Sequence, residues 1–209
     1  MDELILKTFC LGDLANNCYL IFDNESKQGF IIDKPAPCDE LDEFIKTHNL
    51  KIVFIALTHA HFDHISGLAG DSIPFYIHQQ DLPLLENPRL NGSSFFSSPA
   101  LVNKKPCLYQ EEVPLRFGKY NIDVIHTPGH TPGSVSLKLG KWLFSGDTLF
   151  YGSVGRTDIP LASAQALIES IENKILTLPP DTIVYPGHGP STTVAREAKL
   201  NPFLRASRG

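Results

Sequence analysis

The 209-residue chain is predicted to adopt an α/β fold, a four-layer αβ/βα sandwich, and two features of the sequence point to it. Each half runs through several short apolar, β-rich segments and then one or more segments of helical period, so each half supplies a sheet and its covering helices. One segment, Ile52–Leu57, is almost uninterruptedly apolar and β-branched. That is the pattern of a strand covered on both faces, which a layered sheet provides. No residue string recurs at a fixed period, so a repeat solenoid is excluded. The length and the 42% hydrophobic and 20% charged content are those of one globular domain spanning 1–209.

The elements follow in order. Leu4–Cys10, Cys18–Phe22 and Phe30–Ile32 are apolar runs separated by turn residues at Gly12-Asp13 and Asp23-Asn24, and predict an antiparallel meander. Cys38–His48 places Leu41, Phe44 and Ile45 at helical spacing with acids early in the segment. Ile52–Leu57 is the buried strand, Ile73–Ile77 another strand, and Gln79–Glu86 a short helix. Asn87–Lys105 is rich in Pro, Asn, Gly and Ser without period, and predicts a long loop, either a lid or plain surface. Strands at Ile122–His126, Ser134–Leu139 and Trp142–Ser145 open the second half. A helix over Ala162–Leu176, a strand at Thr182–Tyr185 and a helix from Thr192 close it.

Composition removes several function classes. The net charge is −5 and the 18 basic residues are dispersed, so no footprint for nucleic acid is expected. No apolar run reaches bilayer length, and Met1-Asp2-Glu3-Leu4 carries acid where a secretory leader carries base. The expectation is a soluble, cytoplasmic protein with no membrane partner. Cys10, Cys18, Cys38 and Cys107 form no C-x-x-C pair, which argues against a disulfide framework or zinc finger and predicts reduced, mostly buried thiols.

The chemistry is concentrated at strand ends. Thr58-His59-Ala60-His61-Phe62-Asp63-His64 puts three imidazoles and a carboxylate into six positions directly after the buried strand. Imidazole and carboxylate are the donors that borderline divalent cations prefer, and a strand-end loop can aim alternate residues at two neighbouring ions. Three later strand ends add one candidate ligand each: His130 in Thr127-Pro128-Gly129-His130-Thr131-Pro132-Gly133, Asp147 in Ser145-Gly146-Asp147-Thr148, and His188 in Tyr185-Pro186-Gly187-His188-Gly189-Pro190. Gly and Pro there fix tight turns that let backbone approach the site. His48, His78 and His126 read as a helix-end cap, a strand-end residue and a neighbour of the ligand turn. Arg156 either pairs with Asp158 or meets a substrate carboxylate. Asp33, ending the third strand, either supports a ligand histidine or is a plain turn aspartate.

From Ile52 to Pro190 these strings resemble the metallo-β-lactamase superfamily, whose H-x-H-x-D-H signature is followed by separate His, Asp and His strand ends. The resemblance implies that His59, His61 and His130 hold one metal, that Asp63, His64 and His188 hold a second, and that Asp147 bridges them. It also aligns Asp33 with a supporting aspartate, although Asp33-Lys34-Pro35 replaces the usual Asp-Pro-Gly. Leu149 to Asp158, Gly187-His188-Gly189-Pro190 with Thr192-Thr193, and Asn201-Pro202-Phe203-Leu204 are similar to the short, bacterial-type glyoxalase II proteins. Histidine at 64 and aspartate at 147 depart from the commonest dinuclear β-lactamases. Phe62 departs from the RNA-processing branch.

By this resemblance the expected activity is hydrolysis of hydroxyacyl-thioesters of the S-lactoylglutathione type, by attack of a metal-bridging hydroxide oriented by Asp63. Two divalent ions, zinc with iron or manganese as alternatives, are the expected cofactors, and an acyl-thioester the expected small-molecule partner. Full-length glyoxalase II also carries a C-terminal glutathione-binding helical domain, which is not expected here. Two alternatives stay open: a persulfide dioxygenase with a single iron, and a non-catalytic metal-binding scaffold of the same fold.

Overall fold

The computed structural model describes residues 3–95, 99–110 and 112–205. The chain opens with the expected meander of β1 (Leu4–Leu11), β2 (Asn16–Asp23) and β3 (Gln28–Ile32), paired antiparallel. α1 (Asp39–Thr47) follows, and the predicted segment ends are its caps. Cys38 Sγ accepts from Leu41 N, and the ring of His48 bonds Phe44 O at 2.9 Å. β4 (Lys51–Ala56) runs parallel to β3. The His-rich segment then forms the single turn α2 (Phe62–Ile65). β5 (Phe75–Ile77), a 3₁₀ turn at Gln79–Asp81, α3 (Leu82–Leu85) and β6 (Cys107–Leu108) complete a mixed sheet of order β1-β2-β3-β4-β5-β6. Within the predicted loop Asn87–Lys105, Ser93–Phe95 make a 3₁₀ turn, and 96–98 lie outside the described residues.

The second sheet begins with β7 (Leu115–Phe117), β8 (Tyr120–His126), β9 (Val135–Leu139) and β10 (Trp142–Gly146), antiparallel to one another in turn. β11 (Leu149–Phe150) and β12 (Ser153–Val154) pair as a small hairpin. α4 (Ala164–Ser170) runs into a π turn at Ile171–Ile175. β13 (Ile183–Pro186) returns parallel to β10, and β14 (Thr192–Thr193) pairs antiparallel to β13. The sheet order is β14-β13-β10-β9-β8-β7. α5 (Val194–Leu200) and α6 (Pro202–Arg205) finish the described chain.

Three apolar layers hold this arrangement together. Ile21, Phe30, Ile32 and Phe54 of the first sheet meet Ile122, Val135, Leu137 and Phe144 of the second, so the sheets pack face to face. On the outer face of the first sheet, Leu20, Ile31 and Ile55 pack with Leu41 of α1 and Leu84 and Leu85 of α3. On the outer face of the second, Leu143 and Val184 pack with Leu167 of α4, Val194 of α5 and Leu204 of α6. Helix, sheet, sheet, helix is the predicted four-layer order. Phe144 is fully buried between the sheets against Tyr19 and Tyr185. Phe144→Ala is expected to cost about 3–5 kcal/mol, read as a lower denaturant midpoint with an unchanged slope.

Three expectations need correction. The segment Ala162–Leu176 is α-helical only from Ala164, after the Ser163 cap, and ends as a π turn. Thr192 does not start a helix: Thr192–Thr193 pair with Ile183 and Val184, and Thr193 Oγ1 caps α5. The four cysteines are free, as expected, but Cys10 and Cys107 are exposed, because they face outward on β1 and on the two-residue edge strand β6.

Candidate metal centre

The seven candidate ligands come from four strand ends at one edge of both sheets. β4 leads into His59, His61, Asp63 and His64; the β8–β9 turn carries His130; β10 leads into Asp147; and β13 leads into His188. Backbone bonds tie these ends together, Val135 N donating to Thr58 O at 2.8 Å and Gly187 N to Gly146 O at 2.9 Å. Donor atoms of His59, His61 and His130 all lie within 4.8 Å of one another, and so do those of Asp63, His64 and His188. Asp147 stands between the triads. Its Oδ1 is 3.4 Å from His64 Nε2, and its Oδ2 is 3.5 Å from His130 Nε2 and 3.6 Å from His188 Nε2.

These residues fit cations better than they fit one another. His59 Nε2 and Asp147 Oδ1 are buried without a hydrogen-bond partner, which is costly unless something cationic meets them. His61 Nδ1 and His130 Nε2 stand 2.8 Å apart, where two lone pairs repel unless a proton or a cation lies between. A Cβ at Gly187 would fall 2.2 Å from Asp147 Oδ1 and 2.7 Å from His64 Cε1, so only glycine leaves that space open. Neutral imidazoles with carboxylates form an N/O donor set suited to zinc or iron.

Burial and charge set the protonation of this cluster. Burial, reinforced by the neighbouring imidazoles, holds His59 well below the usual histidine range. Burial and His130 push His61 down to about 3, and burial lowers His130. All three are therefore neutral at pH 7, as metal ligation requires. Burial also disfavours charge on His64, but the Asp33 and Asp147 carboxylates outweigh it and raise His64 well above its ordinary value. His188 is raised similarly against its burial, chiefly by Asp63. Burial opposes ionisation of Asp63 and Asp147. The facing histidines prevail and hold both below the usual carboxylate range.

Orientation comes from the surrounding chain. Asp33 Oδ1 accepts from Thr58 N at 2.8 Å, and its Oδ2 accepts from Thr58 Oγ1 at 2.7 Å and bonds His64 Nδ1 at 2.8 Å. Of the two readings of Asp33, the structure supports the ligand-supporting one. His130 Nδ1 faces Arg156 O at 2.9 Å and His188 Nδ1 faces Leu14 O at 3.0 Å. In each ring the outer nitrogen donates, which leaves Nε2 to face the site. Asp33→Asn is expected to keep the fold and to weaken metal binding about 10–100-fold, measured by competition with a chromophoric chelator.

Sequence reasoning missed several residues that build the centre. Asp81 is fully buried and joins two ligand loops, accepting from Ala60 N at 3.0 Å, Gly133 N at 2.7 Å and Thr131 Oγ1 at 2.8 Å. Burial pushes its carboxyl up to about 6. Asn16 and Asn17 hold the His188 loop, and buried Glu197 accepts from Gly152 N and Asn201 Nδ2, both at 2.9 Å, fixing the β11–β12 turn. None carries a motif of its own. Only the i, i+4 spacing of Glu197 and Asn201 was available as a signal.

The remaining candidates stand apart from the ligand cluster. His48 caps α1; His78 accepts from Gln80 N at 3.3 Å; His126 stacks on His78 at 4.1 Å and bonds Pro132 O at 2.8 Å. Arg156 pairs with Asp158 through two bonds of 2.8 and 2.9 Å, both side chains exposed. The ion-pair reading of Arg156 is the one observed.

Comparison with known proteins agrees with this geometry. The family model of the metallo-beta-lactamase superfamily matches residues 11–188. The probable metallo-hydrolase YqgX of Bacillus subtilis is 38% identical over 202 residues, covering 93% of this chain and 94% of that one. The hydroxyacylglutathione hydrolase GloC of Haemophilus influenzae is 34% identical over 199 residues, covering 91% and 93%. Among solved structures, the BLEG-1 B3 metallo-beta-lactamase superposes with a TM-score of 0.89 at 42% identity, covering 96% of this chain and 99% of that one. TTHA1623 in a di-iron-bound form superposes with a TM-score of 0.80 at 38% identity, covering 95% and 100%. With its two sheets flanked by helices and a His-rich candidate metal centre at their common edge, the chain belongs to the metallo-β-lactamase superfamily.

Proposed function

We propose that the protein hydrolyses hydroxyacyl-thioesters of the S-lactoylglutathione type to a hydroxy acid and a thiol, using two divalent cations. The observation that carries this reading is the position of Asp147, whose two carboxylate oxygens face histidines of both triads. His59, His61 and His130 would hold one cation, Asp63, His64 and His188 the other, and Asp147 both. When bound, such a pair lowers the pKa of water to about 7 and polarises an acyl carbonyl. Zinc and iron both suit the donors, and the di-iron form of TTHA1623 supports iron.

The chain's own residues do the rest. Asp33, Arg156 O and Leu14 O fix the tautomers of His64, His130 and His188. Asp63, held anionic beside His188, orients the attacking water. Phe150 lies edge-on to His188, 6.1 Å between ring centres. A thiol leaves as thiolate with a pKa of about 8.5, so no further general acid is required. The likeness to GloC supports the thioester reading.

A second reading has one specific observation behind it, the 42% identity to the B3 metallo-beta-lactamase structure. The two are separated by assaying thiol release from S-lactoylglutathione beside ring opening of a chromogenic cephalosporin. Metal-dependent thiol release with kcat/KM well above that for the cephalosporin supports the thioesterase. The reverse ranking replaces it with a lactamase. Oxygen uptake with glutathione persulfide and no hydrolysis transfers the protein to the dioxygenase branch.

A further inference from the structure

Asn16 lies outside the seven ligands, yet its side chain reaches three of them. Its Nδ2 lies 3.1 Å from Asp63 Oδ2, 3.1 Å from His64 Nε2 and 3.2 Å from His188 Nε2, and the residue is 1% exposed. We infer that Asn16 is a positioning residue of the second cation site, its amide setting how tightly Asp63, His64 and His188 hold a divalent cation. The inference rests on the two-cation reading above.

Two constraints place the amide there. The β1–β2 hairpin grips the His188 loop: Asn16 bridges His188, Asn17 N donates to Gly187 O at 2.7 Å, and Asn17 Nδ2 donates to Pro186 O at 3.0 Å and Gly189 O at 2.9 Å. The Asn16 backbone is therefore fixed against the site. The imidazoles are fixed as well, since His64 and His188 commit Nδ1 to Asp33 and Leu14 O and turn Nε2 toward Asn16. One NH₂ group has two hydrogens for three neighbours, of which Asp63 Oδ2 accepts outright and each ring Nε2 accepts only when it carries neither a proton nor a cation.

The amide has a second end. Its carbonyl oxygen is nearly isosteric with the NH₂ group and is a good partner for a divalent cation, so a half-turn about the Cβ–Cγ bond exchanges donor for acceptor without moving backbone. The side-chain bonds of Asn16 all go to Asp63, His64 and His188, the triad of one cation site. Its influence is therefore confined to that site, and the site of His59, His61 and His130 serves as an internal control.

The test is stepwise zinc titration of the metal-free protein against a chromophoric chelator, for wild type, Asn16→Ala and Asn16→Asp, with thermal melts confirming the fold. Wild type is expected to bind two equivalents. Asn16→Ala is expected to leave one step unchanged and to weaken the other about 10-fold or more. Asn16→Asp, which keeps the shape and adds charge, is expected to tighten that step relative to wild type, and carries the test alone if the alanine variant does not fold. Two equivalents with unchanged or tighter constants in Asn16→Ala, or no tightening in Asn16→Asp, overturn the role of Asn16 and leave the two-cation reading intact. One equivalent in wild type overturns that reading and the inference with it.

Discussion

Asp147→Ala is expected to abolish catalysis while sparing the fold. Its carboxylate stands between both triads, so its loss should weaken both cations at once. A loss of about 4 kcal/mol of transition-state stabilisation corresponds to a fall in kcat/KM of roughly 10³-fold. The metal-free variant should fold and melt only slightly below metal-free wild type, because the attraction of the facing histidines, which holds the Asp147 carboxylate below its usual range, is offset in part by burial of the charge. Steady-state kinetics beside melts of the chelated proteins check both halves. Retained activity, or a large drop in the apo melting temperature, would count against the assignment.

Gly129→Ala is expected to have the opposite signature, a folding defect that metal does not rescue. Gly129 has φ +145°, and a Cβ there would fall 2.3 Å from Cα and N of Leu167 in α4. Neither the helix backbone nor the His130 turn can yield, since Ser163 N donates to Gly129 O and Gly129 N to Thr131 O. Backbone strain with overpacking should cost about 4 kcal/mol or more, a fall in melting temperature of roughly 8–16 °C for a chain of this size. Gly70→Ala is the control. Gly70 has φ +77° but nothing within 4 Å of where a methyl would sit, so about 1 kcal/mol is expected there. Equal melting temperatures for the two variants would show that the approach of α4 to the ligand turn is not tight.

The candidate ligand cluster was legible because metal chemistry limits such positions to few residue types. Three histidines and an aspartate within six residues, and Gly-flanked His or Asp after three apolar runs, have few other physical explanations. The long strands and α1 were legible from period and caps. The strands β6, β7, β11, β12 and β14 were not, because two or three residues carry no period and their pairing is decided by their neighbours in space. The supporting residues were illegible for a related reason. Asn16, Asp81 and Glu197 matter through contacts 47, 50 and 45 residues away, and an isolated Asn, Asp or Glu does not announce such partners. Arg156 shows the limit of reading one residue at a time. Its guanidinium pairs with Asp158, while its backbone oxygen is what touches the centre.

A centre built from two triads joined by Asp147 is tested most directly by the metal content per chain of purified wild type and Asp147→Ala, measured by elemental analysis for Zn, Fe and Mn. Close to two ions per chain are expected in wild type and one or none in Asp147→Ala. One ion in both proteins, or none in wild type after growth with zinc and iron supplied, would contradict such a centre.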